Sequence, residues 1–218
     1  MGEDTTLEKL VQTGFKPSEH GFRFANRFPG YRCEAVCGGM SFATLDYHLA
    51  GEGVLGTEEV PPEDSALYRY LVQRLFDSFG NGMMLAKLLR WMSLPDETSK
   101  GIWKRTRDEF KEIQKRIDEG GLVPLVLLYK TFKESSDPRM NHQVLAYGCT
   151  RMPGGSYDVH IYDPNLPGDD SCVIRAEVCR LGDNLGMKSV QHHSKGTRSV
   201  HGFFINRHYK QRVPPKNL

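Results

Sequence analysis

The feature that most restricts this chain is a change of hydrophobic period at Gly120-Gly121, where helical spacing gives way to short β-branched and aromatic runs. Before the glycines, Leu67, Leu71 and Leu75 recur every four residues, Gly80-Asn81-Gly82 interrupts, and Leu85, Leu88, Leu89 and Met92 resume the stripe. After Pro95, Trp103, Phe110, Ile113 and Ile117 share one helical face with Lys and Arg opposite. After the glycines, residues 123–130, 142–149, 157–162, 172–178 and 200–206 read as strands separated by turn clusters. Helices followed by strands predict an α+β fold with an antiparallel sheet. The expected organisation is one domain over 1–218, mainly helical over 1–121, sheet over 122–210, with a flexible tail over 211–218.

The first 36 residues offer a short amphipathic helix at 6–11 and then irregular Gly/Pro-rich sequence that ends near Cys33 and Cys37. From 38 to 49 there is no proline, and Met40, Ala43, Leu45 and Tyr47 fit a buried helix that Gly51 and Gly53 would end. Cys37 therefore stands at a helix N-terminus, where free N–H groups and the helix dipole favour the thiolate over the thiol. Gly38 and Gly39 leave the neighbouring amides open to donate to a developing oxyanion.

A thiolate nucleophile needs a base. With 142–163 read as a hairpin turning at Met152, Pro153, Gly154 and Gly155, pairing Cys149 with Ser156 carries Ala146 opposite Val159, Val144 opposite Ile161 and His142 opposite Asp163. Directly opposed Cβ atoms lie about 4.5–5.5 Å apart, close enough for an imidazole N–H to reach a carboxylate. His160 falls on the other face with Leu145, and His48 is about 16 Å along the helix from Cys37. Taken singly, Cys37 reads as a small buried residue, His142 as a strand-start surface residue and Asp163-Pro164-Asn165 as a turn. Taken together, in the order Cys, His, Asp, they read as a catalytic triad.

Cys37-Gly38-Gly39-Met40, the run Asn141-His142-Gln143-Val144-Leu145-Ala146-Tyr147-Gly148 and the run Ile161-Tyr162-Asp163-Pro164-Asn165 resemble the papain-like cysteine peptidase superfamily, particularly its bacterial branch of peptidase-like proteins. The resemblance implies a helical lobe carrying the nucleophile, an antiparallel sheet lobe carrying His and Asp, and a cleft between them. It matches Cys37 to the nucleophile, His142 to the general base and acid, and Asp163 to the residue that orients the imidazole. The Cys-Gly-Ser/Ala-Cys-Trp/Tyr run of papain and the cathepsins is not present around Cys37, and Tyr31 stands where the family's oxyanion glutamine lies. Asn26 is the nearest upstream amide and the side-chain candidate for that donor, beside the backbone N–H of Cys37. The implied function is a cysteine-nucleophile hydrolase, a peptidase or amidase working through a thioester on a peptide or small amide, with no cofactor and no metal. A non-catalytic binding module on the same fold and a thiol-dependent acyltransferase are the alternatives.

Composition narrows the partners. Twenty-nine Lys+Arg against 27 Asp+Glu leave a net charge of +2, so no domain-wide field gathers nucleic acid or an anionic membrane surface. The longest apolar stretch, 122–129, is too short to span a bilayer and contains Pro124. The opening MGEDTTLEKL has early acidic residues and no apolar core, so a cytoplasmic protein with five reduced cysteines is expected. Cys33, Cys37, Cys172, Cys179, His192 and His193 supply zinc-ligand types at spacings that do not suit a zinc site. Lys188, His192, His193, Lys195 and Arg198 read as a solvated loop, and Trp91 and Trp103 as core.

Overall fold

The computed structural model describes residues 11–54 and 56–216. A two-residue strand β1 (Val11–Gln12) is followed by five helices, α1 (Pro17–His20), α2 (Cys37–Leu49), α3 (Ala66–Ser78), α4 (Met83–Met92) and α5 (Ile102–Asp118). Then come β2 (Val123–Leu128), a 3-10 turn at Pro138–Met140, β3 (His142–Arg151), β4 (Tyr157–Tyr162), β5 (Val173–Leu181), β6 (Asn184–His193), β7 (Gly196–Val200) and β8 (Gly202–Ile205). Every pairing is antiparallel, in the order β7-β6-β5-β4-β3-β2-β8, with β1 beside β3. The protein is α+β. Of the helix expected at 6–11, only Val11 lies within the described residues, and it pairs with Cys149 in the sheet.

The helical stripes bury as amphipathic faces should. α3 is capped by the Ser65 hydroxyl, which accepts from the Tyr68 N–H at 3.1 Å, and it buries Leu67, Leu71 and Leu75. In α5 the buried stripe is Ile102, Thr106, Phe110, Ile113 and Ile117. Trp103, expected on that face, is half-buried at its edge with the Lys188 ammonium 4.6 Å from its ring. Gly120 ends this helix at φ +83°, a conformation only glycine adopts without strain. β2 is buried on both faces: Val123, Leu125 and Leu127 meet α5, while Val126 and Leu128 meet α4, which is why its sequence is an unbroken apolar run instead of an alternation.

Three expectations are corrected. The solvated loop expected around 188–198 is the β6–β7 hairpin, pairing Ser189 with Val200 and His193 with Gly196. The inward residues of β6 are Met187, Ser189 and Gln191, only the first of them apolar, so no apolar alternation marks it. The β3–β4 register also differs: Ala146 pairs with Ile161 and Cys149 with Val159, with a shift between Ala146 and Gly148 that leaves Tyr147 as an extra residue. His142 is therefore not directly opposite Asp163, and Ile161 pairs with Ala146 instead of Val144. Lastly, the tail expected to be flexible is held as far as it is described. Tyr209 O–H and Arg212 N–H donate to Asp46 at 2.7 and 2.9 Å, and Tyr47 O–H donates to the Pro215 carbonyl at 2.8 Å.

The sheet curls strongly. Four strand steps separate β6 from β2, about 19 Å in a flat sheet. Yet Tyr129, one residue beyond β2, hydrogen-bonds Gln191 of β6 across the concave side. Among the described residues no helix is long and apolar enough to cross a membrane.

Candidate active site

Cys37 is the first residue of α2, and its helix enters the sheet region between two close neighbours. A Cβ on Gly38 would collide with Nε2 of Gln143 and Oγ of Ser78, and one on Gly39 would collide with the Leu71 carbonyl. The two glycines are thus needed for α2 to approach β3 and α3 closely. Asn26 fixes the residue before Cys37: its Oδ1 accepts from the Val36 N–H at 2.5 Å, and its own backbone N–H donates to the Pro164 carbonyl at 2.8 Å.

His142 opens β3 and Asp163 directly follows β4. The turn-side register offsets His142 and Asp163, and the bulge reduces that offset to two residues on one face, where His142 Nε2 lies 2.7 Å from Asp163 Oδ1. Two further donors converge on the same carboxylate, the Asn165 N–H on Oδ1 at 2.8 Å and Gln191 Nε2 on Oδ2 at 2.7 Å. With Nε2 engaged by Asp163, Nδ1 is the ring nitrogen left for the thiol of Cys37, which is hydrogen-bonded to His142.

The electrostatics follow from this contact. Burial pushes the Cys37 thiol up, but the His142 charge and hydrogen bond, with backbone donors from Gln143 and Gly38, bring it below the ordinary thiol value. Burial alone would lower the His142 imidazole; Asp163 and Cys37 together raise it. Burial would raise the Asp163 carboxyl, yet His142, Asn165 and Gln191 hold it below the usual carboxylate range. The Cys37 and His142 shifts run in the same sense, and both favour the thiolate–imidazolium form of the pair. Cys149 and Cys172 show the contrast, since burial and nearby carboxylates push both up to about 12.

A cavity of about 680 Å³ opens beside Cys37 and His142. Leu75, Phe79, Met84, Leu88 and Val126 give it an apolar floor, and Arg32, Asp137 and Arg139 stand among its lining residues. Tyr31 also lines it, whereas Asn26 does not. One hydrogen of the Asn26 side-chain amide goes to Asn165 Oδ1 at 3.2 Å, so Asn26, proposed from sequence as an oxyanion donor, is here turned to Val36 and Asn165 and away from the cavity lining. The N–H of Cys37, in the first turn of α2, is left without an intrahelical partner and faces no such competition.

The two neighbours of His142 in its sequence run were given no role of their own by the sequence, and both fix the backbone around it. Gln143 donates to Ser78 Oγ at 3.0 Å and accepts from Asn206 Nδ2 at 2.9 Å, which fixes the strand beside the nucleophile. Asn141 accepts from the N–H groups of Tyr129 and Lys130 at 2.8 and 2.9 Å, tying the end of β2 to the start of β3. Among the described residues no group of three or more His, Cys, Asp or Glu side chains is placed to hold a metal ion. No protein-family model matches the chain, and no curated protein or solved structure matches it.

Proposed function

We propose that this protein is a cysteine-nucleophile hydrolase of papain-like architecture, acting on a peptide or small amide. The observation that carries the reading is His142, whose imidazole is bound by Asp163 at one nitrogen and by Cys37 at the other, at the mouth of a large cavity. The Cys37 thiolate attacks the carbonyl carbon, and the S–C bond forms as the oxyanion is received by the Cys37 N–H. The imidazolium then gives its proton to the departing nitrogen as the C–N bond breaks, leaving a thioester and neutral imidazole. Neutral His142 takes a proton from water as hydroxide adds to the thioester; the C–S bond then breaks, releasing the acid and the Cys37 thiolate while the proton stays on His142, which regenerates the thiolate–imidazolium pair. Helices that carry the cysteine and an antiparallel sheet that carries the other two members support the papain-like reading.

The test is a panel of coumarin amides and p-nitrophenyl esters run against wild type, Cys37→Ala and His142→Ala. Turnover in wild type, an acyl adduct on Cys37 after acid quench, and a loss of about 10³-fold or more in each variant are expected. Turnover that survives Cys37→Ala would dispose of the nucleophile.

A further inference from the structure

The triad is backed by side chains from the far side of the curled sheet. Gln191, 1% exposed on β6, donates its amide to Asp163 Oδ2 at 2.7 Å, the oxygen that His142 does not use. Its other end is fixed in turn, because the Tyr129 hydroxyl donates to Gln191 Oε1. The Tyr129 ring lies nearly parallel to the His142 imidazole, 17° between planes with centroids 6.1 Å apart, and the Arg198 guanidinium sits 3.5 Å from the Tyr129 centroid. A closed circuit results, running His142, Asp163, Gln191, Tyr129 and back to His142, with every polar end partnered.

We infer that Gln191 and Tyr129 are positioning residues that hold the Asp163 carboxylate, and through it the His142 imidazole, in the orientation that sustains the thiolate of Cys37. This rests on the triad reading and extends it to β6 and to the residue following β2. A side-chain amide oriented by a phenol hydroxyl presents its NH₂ end to the carboxylate. Were the amide to turn over, its oxygen would face Asp163 and repel it. The acceptor-only Asp163 carboxylate thus sets which way the amide faces, and the Tyr129 hydroxyl, donating to Gln191 Oε1, holds its other end in place. The hairpin that reads as a solvated basic loop in sequence is thus the wall of the site.

Iodoacetamide alkylation of Cys37, mapped by mass spectrometry from pH 4 to 9, tests this without a known substrate. Wild type is expected to show an acid limb well below the ordinary thiol value near 8.5. Gln191→Leu removes the donor at similar volume, and its acid limb should move up by about one pH unit, which lowers the alkylation rate on that limb about tenfold. Tyr129→Phe deletes one hydroxyl, retains the ring, and should move the limb in the same direction by less. It also serves should Gln191→Leu not fold. Limbs that coincide with wild type in folded variants, even where the melting temperature falls, would reduce both residues to packing and overturn the inference. An acid limb near 8.5 in wild type itself would instead overturn the triad reading, and the inference with it.

Discussion

Gly38 and Gln143 occupy one another's space at the start of α2: the Gln143 amide stands where a Cβ on residue 38 would lie, held there by Ser78 and Asn206. Two effects oppose each other at this position. Alanine is about 1 kcal/mol better than glycine inside a helix. Overpacking a well-fixed site costs about 1–3 kcal/mol, and here the obstructing amide cannot swing away without giving up two buried hydrogen bonds, to Ser78 and Asn206. The steric effect wins, so Gly38→Ala should destabilise by about 1–2 kcal/mol in urea unfolding. A variant more stable than wild type would show that Gln143 yields freely.

Among the five thiols, Cys37 should alkylate fastest at pH 6, because it alone combines a lowered thiol value with a place on the cavity wall. Cys149 and Cys172, pushed up to about 12, should remain unlabelled in the folded protein. His142→Ala should slow Cys37 at pH 6 by tenfold or more, since burial then acts without its compensating charge. Peptide mapping after brief labelling reads all of these sites at once.

The raised His142 value has a stability consequence that Cys37→Ala isolates, by removing the thiolate that titrates against it. Asp163, one of the two groups that raise the imidazole, is expected to keep it above its unfolded value of about 6.5 in that variant, so that the folded chain binds the extra proton more tightly. That contribution is fully present below about pH 6.5 and is lost as pH rises through the folded value. Within this window stability should fall by up to about 1.4 kcal/mol per pH unit. Chemical denaturation of Cys37→Ala beside Cys37→Ala/His142→Ala checks it: the slope between pH 7 and 9 should be more negative in the single variant.

Asp46 is fully buried on α2 and binds Arg74, also fully buried, with Nε to Oδ2 at 2.7 Å. It further accepts from the hydroxyls of Tyr70 and Tyr209, both at 2.7 Å, and from the Arg212 N–H. Asp46→Ala leaves a buried guanidinium with Asp77 as its only carboxylate partner, and should cost about 3–5 kcal/mol. Residues 209–216 should at the same time become sensitive to limited proteolysis. Loss of stability with no new cleavage in that segment would mean the tail is held by its remaining contacts.

The sequence by itself was sufficient where the physical signal is local and apolar. The stripes of α3 and α4, the buried helix after Cys37 and the two-sided apolar run of β2 follow from spacing alone, because burial of one face demands that spacing. The types and order of Cys37, His142 and Asp163 were equally legible. Tertiary structure decided how they meet. The β3–β4 turn sets a register in which His142 and Asp163 are offset, and the one extra residue at Tyr147 reduces the offset and returns them to a shared face, so that they join on a diagonal rather than straight across. Asn26, chosen for its place in the chain, is turned to Val36 and Asn165. β6 and β7 escaped notice because their inward residues are largely small or polar. Gln191 is buried for the hydrogen bonds it makes to Asp163 and Tyr129, partners 28 and 62 residues away, and no periodicity within its own strand records them.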